Sequence, residues 1–141
     1  MVTVSIIGVG ARGGEAYGKY INECKDKYDI VALCDLNPSK LEKYSAEFNV
    51  GQENCFLSEE EFFKEKRSDV LVIATLDQDH IRVALKAIKL GYAILLEKPV
   101  SDKVEELLML QETAKEYGAT IIVCHVLRYT VAIRNISRNI Y

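Results

Sequence analysis

The chain has no apolar run long enough for a membrane helix, no excess of basic residues and no cysteine pair at metal-binding spacing. Its longest apolar stretches have the length of strands, whereas a membrane span needs about 20 consecutive apolar residues, so no membrane partner is expected. With 18 Lys and Arg against 21 Asp and Glu the net charge is −3. Nucleic acid, which requires a basic face, is therefore not an expected partner. Cys24, Cys34, Cys55 and Cys124 stand far apart with only His80 and His125 beside them, and no metal site is expected. Cys34 and Cys124 fall inside apolar runs, where a free thiol behaves as a small hydrophobe. All four read as reduced cysteines of a cytoplasmic protein. Met1 leads straight into Val2-Thr3-Val4-Ser5-Ile6-Ile7, with no basic segment and no cleavage site, so no secretory signal is visible.

What is present is an ordinary globular composition, 49% hydrophobic and 28% charged over 141 residues. That length suits one domain whose core needs no disulfide or metal to hold it. Strand-length apolar runs alternate with helical patterns, which predicts an α/β fold: βαβ units in a doubly wound, mainly parallel sheet. Strands are expected at 2–7, 30–34, 70–74, 93–96 and 120–124, with a further short one near Cys55-Phe56-Leu57. A helix is expected over 11–27. Another opens with Asn37 as N-cap and Pro38 in the first helical position, with Leu41, Tyr44 and Phe48 at helical spacing. Ser58-Glu59-Glu60-Glu61 reads as a capping box before a short helix carrying Phe62 and Phe63, its acids suited to the positive end of the helix dipole. Two more helices are expected at 78–90 and 103–117, stopped by Gly91 and Gly118.

Gly8-Val9-Gly10-Ala11-Arg12-Gly13 follows a strand and opens a helix, the context a dinucleotide-binding turn requires. Gly8 permits the tight turn, Gly10 admits a pyrophosphate close to the backbone, and Gly13 lets the helix pack on the sheet. Free N–H groups at Ala11 and its neighbours would receive the phosphates. Arg12 is a candidate phosphate contact, or simply points to water. A glycine-rich turn without a ligand is the alternative. Asp35 ends the second strand about 20 residues beyond Gly13, where a carboxylate holds the ribose hydroxyls of NAD. It also suits a residue starting the turn into Asn37-Pro38, and the two roles are compatible. NAD is expected in preference to NADP, because a 2′-phosphate ~4 Å from this carboxylate meets about 4 kcal/mol of repulsion at an effective dielectric of 20.

The turns after the later strands carry Thr75-Leu76-Asp77-Gln78-Asp79-His80, then Glu97-Lys98-Pro99, then His125-Val126-Leu127-Arg128-Tyr129. At the carboxyl ends of a parallel sheet these polar residues converge on one crevice. With these motifs in this order, the chain resembles the N-terminal Rossmann domain of the Gfo/Idh/MocA family of NAD(P)-dependent oxidoreductases over essentially its whole length. Leu76 stands where that family usually has proline. The resemblance implies that Lys98 is a catalytic lysine beside nicotinamide and substrate, that Glu97 binds the nicotinamide ribose, and that Pro99 fixes the turn aiming both. It implies that Thr75, Leu76, Asp77 and His80 lie near the cofactor and that Arg128 approaches the nicotinamide end. By itself His80 reads as a solvated histidine near the start of a helix capped by Asp77. Tyr129 is as well explained by packing.

The resemblance also implies a cofactor domain at 1–125 and a crossover tail at 126–141, leading to a C-terminal substrate domain that this sequence lacks. Whether the chain is an expressed fragment or a truncated gene product is left open. Apolar surface near the sheet edge and the C-terminal tail is an expected consequence. The function expected is the NAD-binding part of an oxidoreductase that moves hydride to or from a sugar, cyclitol or related polyol-like small molecule. A homo-oligomer is expected when full length, and no turnover from this chain alone. The alternatives are a non-enzymatic module that binds or senses NAD, and a methyltransferase, which the Glu97-Lys98-Pro99 turn and the glycine spacing disfavour.

Overall fold

A computed structural model describes residues 1–125; the tail expected at 126–141, with Arg128 and Tyr129, lies outside the described residues. The first apolar run forms β1 (Val2–Ile7), and the chain then enters a π-helical segment (Ala11–Gly18) continued by α1 (Lys19–Glu23). β2 (Tyr28–Cys34), α2 (Pro38–Phe48), the two-residue strand β3 (Cys55–Phe56) and α3 (Glu59–Phe62) complete the first half. β4 (Val70–Ile73), α4 (His80–Lys89), β5 (Ala93–Leu96), α5 (Val104–Glu116) and β6 (Ile121–Val123) make the second. All strand pairs are parallel, in the order β3-β2-β1-β4-β5-β6. Successive strands step away from β1 on one side, then the chain returns to β4 on the other. The crevice at that reversal, beyond the carboxyl ends of β1 and β4, is where such sheets bind ligands.

The sheet is covered on both faces at its centre, so β4 is a continuous apolar run, Val70–Ile73, while β1 carries Thr3 and Ser5 among its apolar residues. Val4 and Ile6 of β1 join Leu33, Ile21, Leu41, Tyr44 and Phe48 on one face. Ile7, Leu71, Ile73 and Leu96 pack with Ile81, Ala84 and Ile88 of α4 on the other. Beyond β5 the covering thins: Ile122 of the edge strand is exposed, as are Val104, Leu107, Leu108 and Met109 of α5. Apolar surface near the sheet edge is thus present. Among the described residues no helix is long and apolar enough to cross a membrane.

Three local expectations are corrected. The helix expected over 11–27 is wound in its first part as a π-helix and ends at Glu23. Gly10 O accepts from Gly14 N at 2.8 Å and, five residues on, from Glu15 N at 3.3 Å. A stretch with three buried glycines holds α-winding only weakly, and the rings of α2 press into it. A Cβ at Gly14 would lie 2.4 Å from the Tyr44 ring and one at Gly18 2.6 Å from the Phe48 ring. The capping box does not form: Ser58 flanks α3, but its hydroxyl donates to Glu60 Oε2 at 2.7 Å and accepts from no backbone N–H of the helix. Glu61, which would close the box, pairs instead with Lys64. Nor does Asp77 cap α4. Asp77–Asp79 form a 3₁₀ turn and α4 begins at His80, a tightening common at helix ends. Asn37, by contrast, caps α2 as expected, accepting from Ser39 N and Lys40 N.

Candidate functional site

A cleft of about 740 Å³ opens at the carboxyl ends of β1, β2 and β4. Gly8, Gly10, Ala11 and Arg12 form one wall, Asp35 and the start of α2 the opposite wall, and Ala74, Thr75 and Leu76 the floor beyond β4. The glycines divide by role. Gly8 has φ +86°, and a Cβ there would lie 2.4 Å from Ala74 O; a Cβ on Gly13 would lie 2.0 Å from Gly8 O. Both are therefore glycine for the sake of the turn itself. Gly10 has no such neighbour, only Lys40 Nζ 3.8 Å away, so its bare face looks into the cleft. Among the described residues, no backbone partner is found for the N–H groups of Gly10, Ala11, Arg12 and Gly13. That is the expected state at the start of a helix, and such N–H groups suit an anion.

Asp35 stands where β2 ends. Its Oδ2 accepts from Val9 N at 2.9 Å and its Oδ1 from Asn37 N at 2.9 Å. Both readings of this residue thus hold at once: it starts the turn into α2 and braces the glycine turn. Each carboxylate oxygen keeps capacity to accept a further hydroxyl donor, and Asp35 lines the cleft.

Glu97, at the carboxyl end of β5, is only 4% exposed. Its Oε1 accepts from the Tyr17 hydroxyl, its Oε2 from Lys98 N at 3.0 Å, and Arg12 Nε lies 3.8 Å from Oε1. Arg12 is thereby tied to both the cleft and the buried carboxylate. Burial pushes the Tyr17 phenol above its ordinary range, with Cys124 and Glu97 at its hydroxyl adding to the effect, so it remains a neutral donor. Burial also raises the Cys124 thiol, and raises the Cys34 thiol to about 12, which leaves Cys34 no nucleophile. All four cysteines are free.

His80 is 1% exposed, which corrects its reading as a solvated histidine. Its Nδ1 lies 2.7 Å from Pro99 O and its Nε2 3.3 Å from Thr75 O. The ring therefore ties the start of α4 to the turn that carries Lys98. Both partners are carbonyl oxygens, which only accept, and the shorter contact is the hydrogen bond that Nδ1–H makes to Pro99 O. His80→Leu keeps most of the volume but orphans that carbonyl. Urea unfolding is expected to show a loss of about 1–3 kcal/mol with an unchanged m-value; unaltered stability would show that His80 ties nothing.

The structure thus gathers Gly8, Gly10, Ala11, Arg12, Asp35, Thr75 and Leu76 around one cleft, with Gly13 buried behind it. Glu97 joins through Arg12. Lys98 is exposed on the next turn and Asp77 is exposed beside the floor; neither lines the cleft. Arg128 lies outside the described residues. Tyr17 and Lys40 are the residues that sequence reasoning missed. The α-helical period assumed for 11–27 gave no reason to place Tyr17 against Glu97, and Lys40 reads as one more polar residue in a helix's first turn.

Residues 2–125 match the family model Gfo/Idh/MocA, described as an oxidoreductase family with an NAD-binding Rossmann fold. Glycosyl hydrolase family 109 protein 1 of Bacteroides fragilis is 28% identical over 123 residues, covering 82% of this chain but 26% of that protein. The fold is similar to that of the WlbA dehydrogenase from Bordetella pertussis in complex with NADH and UDP-GlcNAcA, with TM-score 0.88 and 22% identity over 99% of this chain and 41% of that one. It is similar too to scyllo-inositol dehydrogenase from Lactobacillus casei with NAD(H) and scyllo-inositol, with TM-score 0.87 and 17% identity, again over 99% and 41%. The chain thus spans about a quarter of the curated relative and two fifths of the solved ones. Its glycine turn, its strand order and the family match lead to one conclusion: this chain belongs to the Gfo/Idh/MocA oxidoreductase family, and residues 2–125 are its NAD-binding Rossmann domain.

Proposed function

We propose that this domain holds NAD for an oxidoreductase acting on a sugar, cyclitol or related polyol-like small molecule. The observation that carries the reading is the cleft itself, in which the open face of Gly10 and free helix-start N–H groups look across at Asp35. The pyrophosphate would lie on Gly10, Ala11 and Arg12, and the adenosine ribose on Asp35. Thr75 and Leu76 would line the path toward the nicotinamide, with Asp77 and the His80-braced turn beside it. Glu97, fixed by Tyr17, would receive the nicotinamide ribose. When bound, NAD supplies hydride transfer. Lys98, exposed on the turn beyond Glu97, would donate to the substrate oxygen and favour negative charge developing there. The solved relatives hold UDP-GlcNAcA or scyllo-inositol, each rich in hydroxyl groups, which favours a polyol-like substrate. We place the protein in the cytoplasm, where four free cysteines are at home, and assign it a homo-oligomeric full-length form.

The name of the curated relatives favours a second reading, a glycoside-cleaving enzyme built on the same cofactor domain. Net NADH accumulation with a polyol supports the first. Release of a sugar from a glycoside without net NADH supports the second.

The cofactor assignment is tested by calorimetric titration of the chain with NAD and NADP. NAD is expected to bind more tightly. Asp35→Ser is expected to raise NADP affinity about tenfold or more by removing the carboxylate that faces the 2′-phosphate. Tighter binding of NADP by the wild type would remove Asp35 from this role.

A further inference from the structure

The wall of the cleft opposite the glycine turn carries a cation that the glycine motif does not account for. We propose that Lys40 is a counter-ion for the cofactor's pyrophosphate, reaching from the first turn of α2 over the glycine turn. The proposal rests on the reading of the cleft as a dinucleotide site. Among the described residues, and apart from Gly10's chain neighbours, Lys40 Nζ is the one heavy atom within 4 Å of the position a Cβ on Gly10 would take, at 3.8 Å. It therefore hangs above the spot where the backbone is bare.

Its neighbours leave it available. Lys43, one turn on, is taken by Glu15 at 2.5 Å, but among the described residues no carboxylate lies within ion-pair distance of Lys40. Both oxygens of Asp35 accept backbone N–H groups. Of the other two carboxylates on the cleft wall, Glu59 is held by Arg82 and Lys86 and Asp79 by Arg82. The start of α2 has no donors to spare on its own backbone, because Asn37 Oδ1 already accepts from Ser39 N at 3.0 Å and Lys40 N at 3.3 Å. What α2 offers an anion is the Lys40 ammonium.

Its placement follows from packing. The Tyr44 and Phe48 rings seat against Gly14 and Gly18, and the Tyr44 hydroxyl donates to Glu15 Oε1 at 2.6 Å, so α2 is fixed against the segment that opens with the glycine turn. Arg12, the other cation on the wall, is drawn toward Glu97. A doubly charged group in the cleft is thus left with Lys40 as its nearest uncommitted cation. Because Nζ stands over Gly10 and not beside Asp35, the phosphates it meets are those of the pyrophosphate and not a 2′-phosphate.

The test uses the chain with Lys40→Met and Lys40→Arg, titrated with NAD, ADP, NADP and adenosine at low and raised salt. Lys40→Met is expected to weaken NAD and ADP by the same factor, about tenfold or more, the worth of a charged hydrogen bond. Adenosine binding and the NADP-to-NAD ratio stay as in the wild type, the loss shrinks as salt rises, and Lys40→Arg retains most of the affinity. Lys40 is exposed and outside both cores, so the urea midpoint is expected to hold. Unchanged NAD and ADP affinities overturn the proposal, and a loss confined to NADP overturns it in favour of the 2′-phosphate. A wild-type chain that binds no dinucleotide overturns the reading of the cleft, and the proposal with it.

Discussion

Lys98→Met, placed in a chain that also carries a substrate domain, is expected to lower turnover about 10²–10³-fold while NAD affinity and melting temperature barely move. The magnitude is that of removing one group that stabilises charge in a transition state. The separation of effects follows from where Lys98 sits. It is exposed on the turn after β5, while its neighbour Glu97 is buried and held by Tyr17 and Arg12. Its side chain supports no core contact, so the fold has little to lose, and the glycine turn that would hold the pyrophosphate lies on another strand. Turnover, NAD affinity and melting temperature measured together decide the matter. Undiminished turnover, or turnover lost only through unfolding, would take Lys98 out of the reaction.

The second large effect separates the glycines. Gly13→Ala is expected to destabilise the domain by about 3 kcal/mol or more, since its Cβ would sit 2.0 Å from Gly8 O, a backbone atom with nowhere to go. Gly10→Ala adds the same methyl where only the end of the flexible Lys40 side chain is near. It is expected to leave the urea midpoint within about 0.5 kcal/mol of the wild type. Its NAD affinity should nonetheless fall about tenfold or more, because the methyl fills the space a phosphate needs. Equal loss of stability in both variants would show that Gly10 also serves the turn.

How much could be read in advance depends on the range over which each signal acts. The parallel sheet was legible because covering both faces leaves near-continuous apolar runs, as in Val70–Ile73, and even the short strand at Cys55–Phe56 was foreseen. Asn37 was legible because its cap acts over two and three residues. Ser58 misled because its hydroxyl turns to Glu60 and meets no backbone N–H of the helix. His80 misled because its partner, the Pro99 carbonyl, lies far along the chain. Tyr17 and Glu97 are likewise separated by most of the fold, and only sheet topology brings them together. The glycine turn and Asp35 were readable as a pair because a single βα unit sets their spacing.

The π-helical winding of Ala11–Gly18 bears on how this chain is to be compared with others. On an α-helix, residues that share a face stand three or four apart. Arg12 and Tyr17 stand five apart, yet both reach Oε1 of Glu97, which the wider turn allows. The segment therefore behaves as a one-residue insertion absorbed inside a helix instead of in a loop. A residue-by-residue alignment with a homologue that is α-helical here would slip by one position partway along it. The partner of the buried carboxylate would then be sought at Ala16 or Gly18, and Tyr17 would be scored as unrelated to a residue in the same place.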